Sequence, residues 1–227
     1  MADPAEFPRT QASDTVFELL PEHDCGLCPR LHAFRSENRK SFPDKYNAPV
    51  PSFGEKDAHL LIVGLAPGLR GANFSGRPFT GDYAGELLYG TLLKYGFARG
   101  KYQARIDDRL TLVDARITNA VKCVPPQNKP EGAEIKKCLP FLSQEIKSMH
   151  RLRAIISLGL ISHNAVLKAS SHKISSFKFA HGAQHKLSER ITLFDSYHCS
   201  RYNTNTGRLT TEMFEDVFKS IKKLLES

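Results

Sequence analysis

His59-Leu60-Leu61-Ile62-Val63-Gly64-Leu65-Ala66-Pro67-Gly68 decides the fold. Leu60 to Val63 is a short apolar run closed by glycine, the pattern of a strand buried on both faces. A polar, glycine-rich loop follows and runs to Asp82. A buried strand that empties into such a loop is one unit of an α/β fold, and the chain downstream supplies the others. Asp82 can cap a helix to about Phe97, with Leu88, Leu92 and Tyr95 on one face. Arg116–Lys122 reads as a strand. Glu131–Met149 reads as a helix interrupted or bent at Pro140. Ala154–Leu158 is a strand, and Gly159 opens the helix after it. Ile191–Tyr197 is a strand, and Thr210 caps a last helix with Met213, Val217, Ile221 and Leu224 as its stripe. Upstream, Arg39–Lys56 reads as a proline-rich surface loop and residues 1–20 as a loose arm or a short helix. The expectation is α/β: one domain over 1–227, built on a parallel sheet of about four strands covered on both faces. Ligands bind such sheets beyond the carboxyl ends of the strands. The loops 64–82, 119–130 and 198–208 all lie at those ends.

The 227 residues carry 32 Lys and Arg against 24 Asp and Glu, a formal charge of +8. A basic surface favours polyanions by counterion release. No apolar run is long enough to span a bilayer, and Met1–Ala12 lacks the apolar core of a secretory signal, so no membrane partner and a cytoplasmic location are expected. Five cysteines, an odd count, argue against a disulfide framework. Cys25-Gly-Leu-Cys28 is a CxxC; Cys123 and Cys138 stand far along the chain. Four thiols from two distant segments suit zinc or an iron–sulfur cluster. Spacing alone leaves unligated thiols and a redox role for the CxxC open. His181 and His185 stand four apart, but Gly182 speaks against the helix that would make them metal ligands. They are read as part of a basic connecting loop, Lys173–Arg190, near the site.

The loop Gly64–Asp82 has neither the Gly-Lys-Ser/Thr ending of a P-loop nor GxGxxG. Gly64-Leu-Ala-Pro-Gly68, Gly71-Ala-Asn73 and Gly76-Arg-Pro-Phe79-Thr-Gly-Asp82 together resemble motif 1 of the family 5 uracil-DNA glycosylases. His198-Cys-Ser-Arg-Tyr-Asn203-Thr-Asn-Thr-Gly207-Arg-Leu-Thr210 resembles their motif 2. Ile117-Thr-Asn119 to Pro130 resembles the segment that carries a base-reading Asn and a cluster Cys. The resemblance runs from about Cys25 to the last helix. It implies a three-layer α/β/α sandwich, and a [4Fe-4S] cluster on Cys25, Cys28, Cys123 and Cys138. It further implies a monomer that acts on double- and single-stranded DNA containing uracil or other deaminated bases, nucleoid-associated in a prokaryote.

The resemblance also implies roles. Gly64, Ala66, Phe79, Asn119 and His198 would surround a flipped base, with Phe79 stacking on it. Asn119 can read a base edge through its donor and acceptor. His198 would stabilise charge on the departing base. Asn73 would position water, or merely support its turn. Arg201, Tyr202 and Asn203 would fill the gap in the stack, and Arg208 would touch phosphate. Leu65 and Ala66 stand where related families carry Asp, Asn or Glu. Cys199 stands where family members commonly have Pro. The missing motif 1 carboxylate keeps a second reading open, a nucleic-acid-binding protein of this fold without turnover.

Overall fold

The computed structural model describes residues 21–227; residues 1–20, for which an arm or short helix is expected, lie outside them. The elements in order are α1 (Pro29–Ser41), β1 (Leu60–Gly64), α2 (Ala72–Ser75), α3 (Tyr83–Tyr95), β2 (Ala98–Arg99), β3 (Thr111–Leu112), β4 (Ala115–Asn119), α4 (Gly132–Ser148), β5 (Ala154–Leu158), α5 (Leu160–Ala169), β6 (Gln184–Lys186), β7 (Thr192–Ser196), α6 (Arg201–Asn205) and α7 (Thr211–Glu226). The main sheet has the order β4-β1-β5-β7-β6. Its first four strands are parallel, and β6 runs antiparallel to β7.

Side chains alternate across the sheet. Leu60 and Ile62 face one core with Leu88 and Leu92 of α3 and Phe214 and Phe218 of α7. Leu61 and Val63 face another with Leu142 and Ile146 of α4 and Ala165 and Val166 of α5. Two apolar faces require two helical layers, so the sandwich is α/β/α. The fifth strand corrects the expected four. Gln184-His185-Lys186 is short, polar and half-exposed, an edge strand without the apolar alternation that marks a core strand. Two further departures lie in helices. α1 occupies Pro29–Ser41 and overlaps the start of the expected loop. Its charged sequence has no apolar stripe to betray it. α4 continues through Pro140 without interruption, its start fixed by a capping box between Glu131 and Glu134.

β1 pairs with β4 on one side and β5 on the other, so chain connections leave it in opposite directions. That is the topological switch point, and the crevice opens at the carboxyl end of β1. Glu145 of α4 anchors β4 from below. Its carboxylate accepts from Arg116 Nε (2.7 Å), Thr118 Oγ1 (2.8 Å) and Lys122 Nζ (3.1 Å), all buried. Burial pushes its pKa up, but Lys122 and Arg116 outweigh burial and bring it to about 2. A depressed carboxylate contributes stability above its unfolded value of 4.5, and that stability is lost as pH falls toward 2. Glu145→Gln removes the counter-charge of the buried Lys122 and should cost about 3–5 kcal/mol at neutral pH. The deficit should shrink between pH 4.5 and 2 in urea unfolding. A deficit constant with pH would contradict this account.

Candidate active site

One cavity of about 330 Å³ sits in the crevice, and it gathers Ala66, Phe79, Asn119, His198 and Arg201. Gly64 and Asn119 end paired strands in register. A Cβ at Gly64 would collide with Asn119 Oδ1 and the Phe79 ring, so only glycine admits both at the crevice floor. Asn119 is buried, and its Oδ1 has no hydrogen-bond partner. An orphaned amide oxygen facing a cavity is a group built for a ligand.

Phe79 adopts a left-handed backbone, φ 53°, which turns its ring into the cavity wall. The ring lies 6.0 Å from His198, centroid to centroid, and 28° from parallel. Burial lowers the His198 pKa to about 4, so the imidazole is neutral near pH 7. Asn203 Nδ2 donates to His198 O at 2.8 Å and fixes the turn that carries the ring.

Asp82, in sequence a helix cap and the last residue of the motif 1 stretch, also lines the cavity. Its Oδ1 does accept from Gly85 N at 3.1 Å, at the start of α3. Its Oδ2 lies against the Gly68–Gly71 turn, where a Cβ on Gly71 would crowd it. Burial raises the Asp82 pKa, partly offset by the backbone amides of Gly85 and Ala84. Asn128, Tyr83 and Ser200 complete the rim and were likewise missed. A cap signal hid Asp82. Asn128, at φ 56° in a 3-10 turn, carries no motif of its own.

Gly64 supports Asn119 and Phe79 without lining the cavity, and four more of the residues assigned to the base and the DNA do not line it. Asn73 is fully buried; its Nδ2 donates to Asn47 Oδ1 at 2.8 Å and its Oδ1 has no partner. Asn203 is the tether just described. Tyr202 is 72% exposed on α6, and the Arg208 guanidinium lies 4.6 Å from the Tyr197 ring centroid. Arg201 covers the Tyr83 ring at 5.3 Å. Cys199 is buried beneath the site, its thiol pointing to Ala84 O at 3.5 Å.

The four other cysteines surround a second, small cavity with Leu31, Val121 and Phe141. Arg35 Nη1 donates to Cys123 Sγ at 3.0 Å, and Lys122 N to Cys138 Sγ at 3.4 Å. Arg35 Nε is buried without a partner. Burial pushes Cys123 up to about 12 and Cys138 up to about 11. As free thiols they would be protonated and inert near pH 7.

His163, His185 and Asp195 make a third cluster, with ligand atoms all within 4.8 Å. His163 bonds Asp195 Oδ1 at 2.8 Å and Phe177 O at 3.0 Å. A carbonyl only accepts, so Nε2 carries a proton; burial lowers the ring's pKa, but the bond and charge of Asp195 outweigh it and raise it. His185 Nε2 meets Asp195 Oδ2 at 3.0 Å. The cluster is a hydrogen-bonded clasp that ties the edge strand to β7. His181 stacks on Tyr197 instead (5.1 Å), away from His185's partners.

A family model described as the uracil DNA glycosylase superfamily matches residues 51–222. The chain belongs to that superfamily. Among its relatives, it is 40% identical over 205 residues to a type-5 uracil-DNA glycosylase of Thermus thermophilus, covering 88% of this chain and 93% of the relative. A type-5 uracil-DNA glycosylase of Pyrobaculum aerophilum is 36% identical over 216 residues, 93% of this chain and 92% of the relative. A type-4 uracil-DNA glycosylase of the same organism is 40% identical over 146 residues, 64% of this chain and 60% of the relative.

Proposed function

We propose that this protein is a DNA repair glycosylase that flips uracil, and also hypoxanthine and xanthine, out of DNA and hydrolyses the N-glycosidic bond. The observation that carries the reading is one cavity joining an aromatic ring, an orphaned amide, a neutral imidazole and a carboxylate. Phe79 offers a face on which an extruded base stacks. Asn119 reads its edge. As the bond lengthens, positive charge grows on the sugar and negative charge on the base. His198, neutral, donates a hydrogen bond to the departing base oxygen, where charge appears only in the transition state. Asp82, anionic, stabilises the sugar cation and orients the water that traps it. The missing carboxylate at Ala66 is thereby supplied from the start of α3, which favours turnover over binding alone. Arg201 and Tyr202, exposed beside the mouth, are suited to DNA contact, and Arg208 to phosphate.

The breadth follows from the walls. Leu65, Ala66, Ala72 and Ala84 present no polar side chain to reject a larger fused ring. Duplexes carrying uracil, hypoxanthine or xanthine should all yield abasic sites in a base-release assay. Release of uracil alone would restrict the reading to a strict uracil enzyme, and release of none would favour the binding protein.

The donor set fits a [4Fe-4S] cluster on Cys25, Cys28, Cys123 and Cys138. Two sulfurs already receive N–H donors and a guanidinium is left with a free nitrogen, groups that stabilise thiolate-bound clusters. The cluster would supply a cross-link between α1 and α4 and no chemistry on the base. Protein purified without oxygen should be brown with about four irons per chain, and Cys123→Ser should lose the colour while Cys199→Ser keeps it. Stoichiometric zinc in active, colourless protein would refute the assignment.

A further inference from the structure

We propose that Tyr102 is a positioning residue for base release, acting through Phe79. The proposal rests on the reading in which Phe79 stacks on the extruded base. Phe79 sits in a backbone conformation that L-residues avoid, φ 53°. Such a conformation persists only where neighbours over-determine it. Here they bind the peptides on both sides of the ring. Tyr89 Oη donates to Pro78 O at 2.7 Å. Tyr102 Oη donates to Phe79 O at 3.1 Å and accepts from Gly81 N at 3.4 Å. One hydroxyl therefore spans the carbonyl of the stacking residue and the amide just before Asp82.

Tyr102 is itself held. Its ring stacks on Tyr89, 4.6 Å between centroids and 24° from parallel. The Arg77 guanidinium lies between the rings and Asp108, 5.4 Å from Tyr89 and 6.0 Å from Tyr102. Arg77 grips Asp108 with two bonds, 2.8 and 2.7 Å, and reaches Thr80 Oγ1 at 2.7 Å. Asp108 Oδ2 also accepts from Gln103 N at 3.1 Å, beside Tyr102. α3 closes the cage: a Cβ on Gly85 would collide with both Phe79 O and Tyr102 Oη. Burial raises the phenol pKa to about 12, so the hydroxyl keeps its proton and remains a donor.

Removing that hydroxyl frees the Phe79 peptide to rotate, and rotation swings the ring off the cavity wall. Misplacement of a contact by about an ångström costs far more in rate than in folding. Tyr102→Phe keeps the ring, the stack and the guanidinium contact, and loses only the two hydrogen bonds.

The test compares Tyr102→Phe, Phe79→Ala and the double variant in single-turnover release of uracil from a duplex, with duplex affinity and Tm measured alongside. Phe79→Ala should slow release about 10- to 100-fold, the scale of one lost base stack. Tyr102→Phe should slow it about 5- to 10-fold, the scale of one buried hydrogen bond, with affinity and Tm near wild type. The double variant should be no slower than Phe79→Ala. A wild-type rate for Tyr102→Phe beside a slow Phe79→Ala overturns the role of Tyr102. Effects that multiply overturn it too, since the hydroxyl would then act elsewhere. A wild-type rate for Phe79→Ala overturns the stacking reading beneath it.

Discussion

His198→Ala is expected to slow single-turnover release of uracil by about 10²-fold or more, the scale of one lost donor to a developing anion. Duplex affinity should change little, because the charge that His198 meets does not exist in the bound ground state. The neutral ring sharpens the test. With its pKa near 4, His198 does not titrate near neutrality, so it donates a hydrogen bond rather than a full proton. Asn119→Ala should behave differently. Its amide meets the base before chemistry begins, so the ratio of uracil to hypoxanthine release should shift along with the rate. Equal slowing of both bases by Asn119→Ala, or a wild-type rate for His198→Ala, would undo these roles.

Asp82→Asn is expected to lower the rate about 10²-fold, the scale for a lost carboxylate that handles water or opposes a cation. Asparagine still accepts a cap bond from Gly85 N, so α3 should remain intact and the loss should reflect charge. Burial raises the Asp82 pKa, and the active form is the anion. Wild-type activity should therefore fall with acid above the ordinary carboxylate range, as Asp82 takes up its proton. The acid limb should vanish in Asp82→Asn and persist in His198→Ala. Asn73→Ala supplies the contrast. Its amide bonds Asn47 away from the cavity, so it should lower Tm without removing the limb. A limb lost with Asn73 and kept with Asp82 would return the water to Asn73.

The sheet was readable where burial leaves a local mark. Leu60–Gly64 and Ala154–Leu158 are buried at every position, and four apolar residues in five are hard to misread. Asp82 and Thr210 announced their helices because capping is a one-residue chemistry. α1 escaped because it packs through Leu31, Arg35 and Asn38, two of them polar. The site divided along the same line. Phe79, Asn119 and His198 sit in motifs whose residue types match the work proposed for them. The carboxylate did not, since Asp82 looks the same in sequence whether it caps or also faces a cavity. Asn73 and Asn203 were polar residues in the right loops, and only the fold shows that each amide nitrogen is bonded to a neighbouring segment, while Asn73 Oδ1 stays buried without a partner. Tyr102 and Asp108 lie in a stretch without motif or periodicity, because their partners are remote in the chain.

The amide pair Asn47–Asn73 has a consequence for how the molecule opens. Asn47 also donates to Phe42 O, and its backbone amide bonds Asn73 O at 3.0 Å. The segment after α1 and the loop after β1 thus share one set of hydrogen bonds. Neither can loosen without breaking the other's. They form a single cooperative unit in the sense of amide exchange, so breathing at the α1 end is transmitted to the loop that carries Phe79 and Asp82.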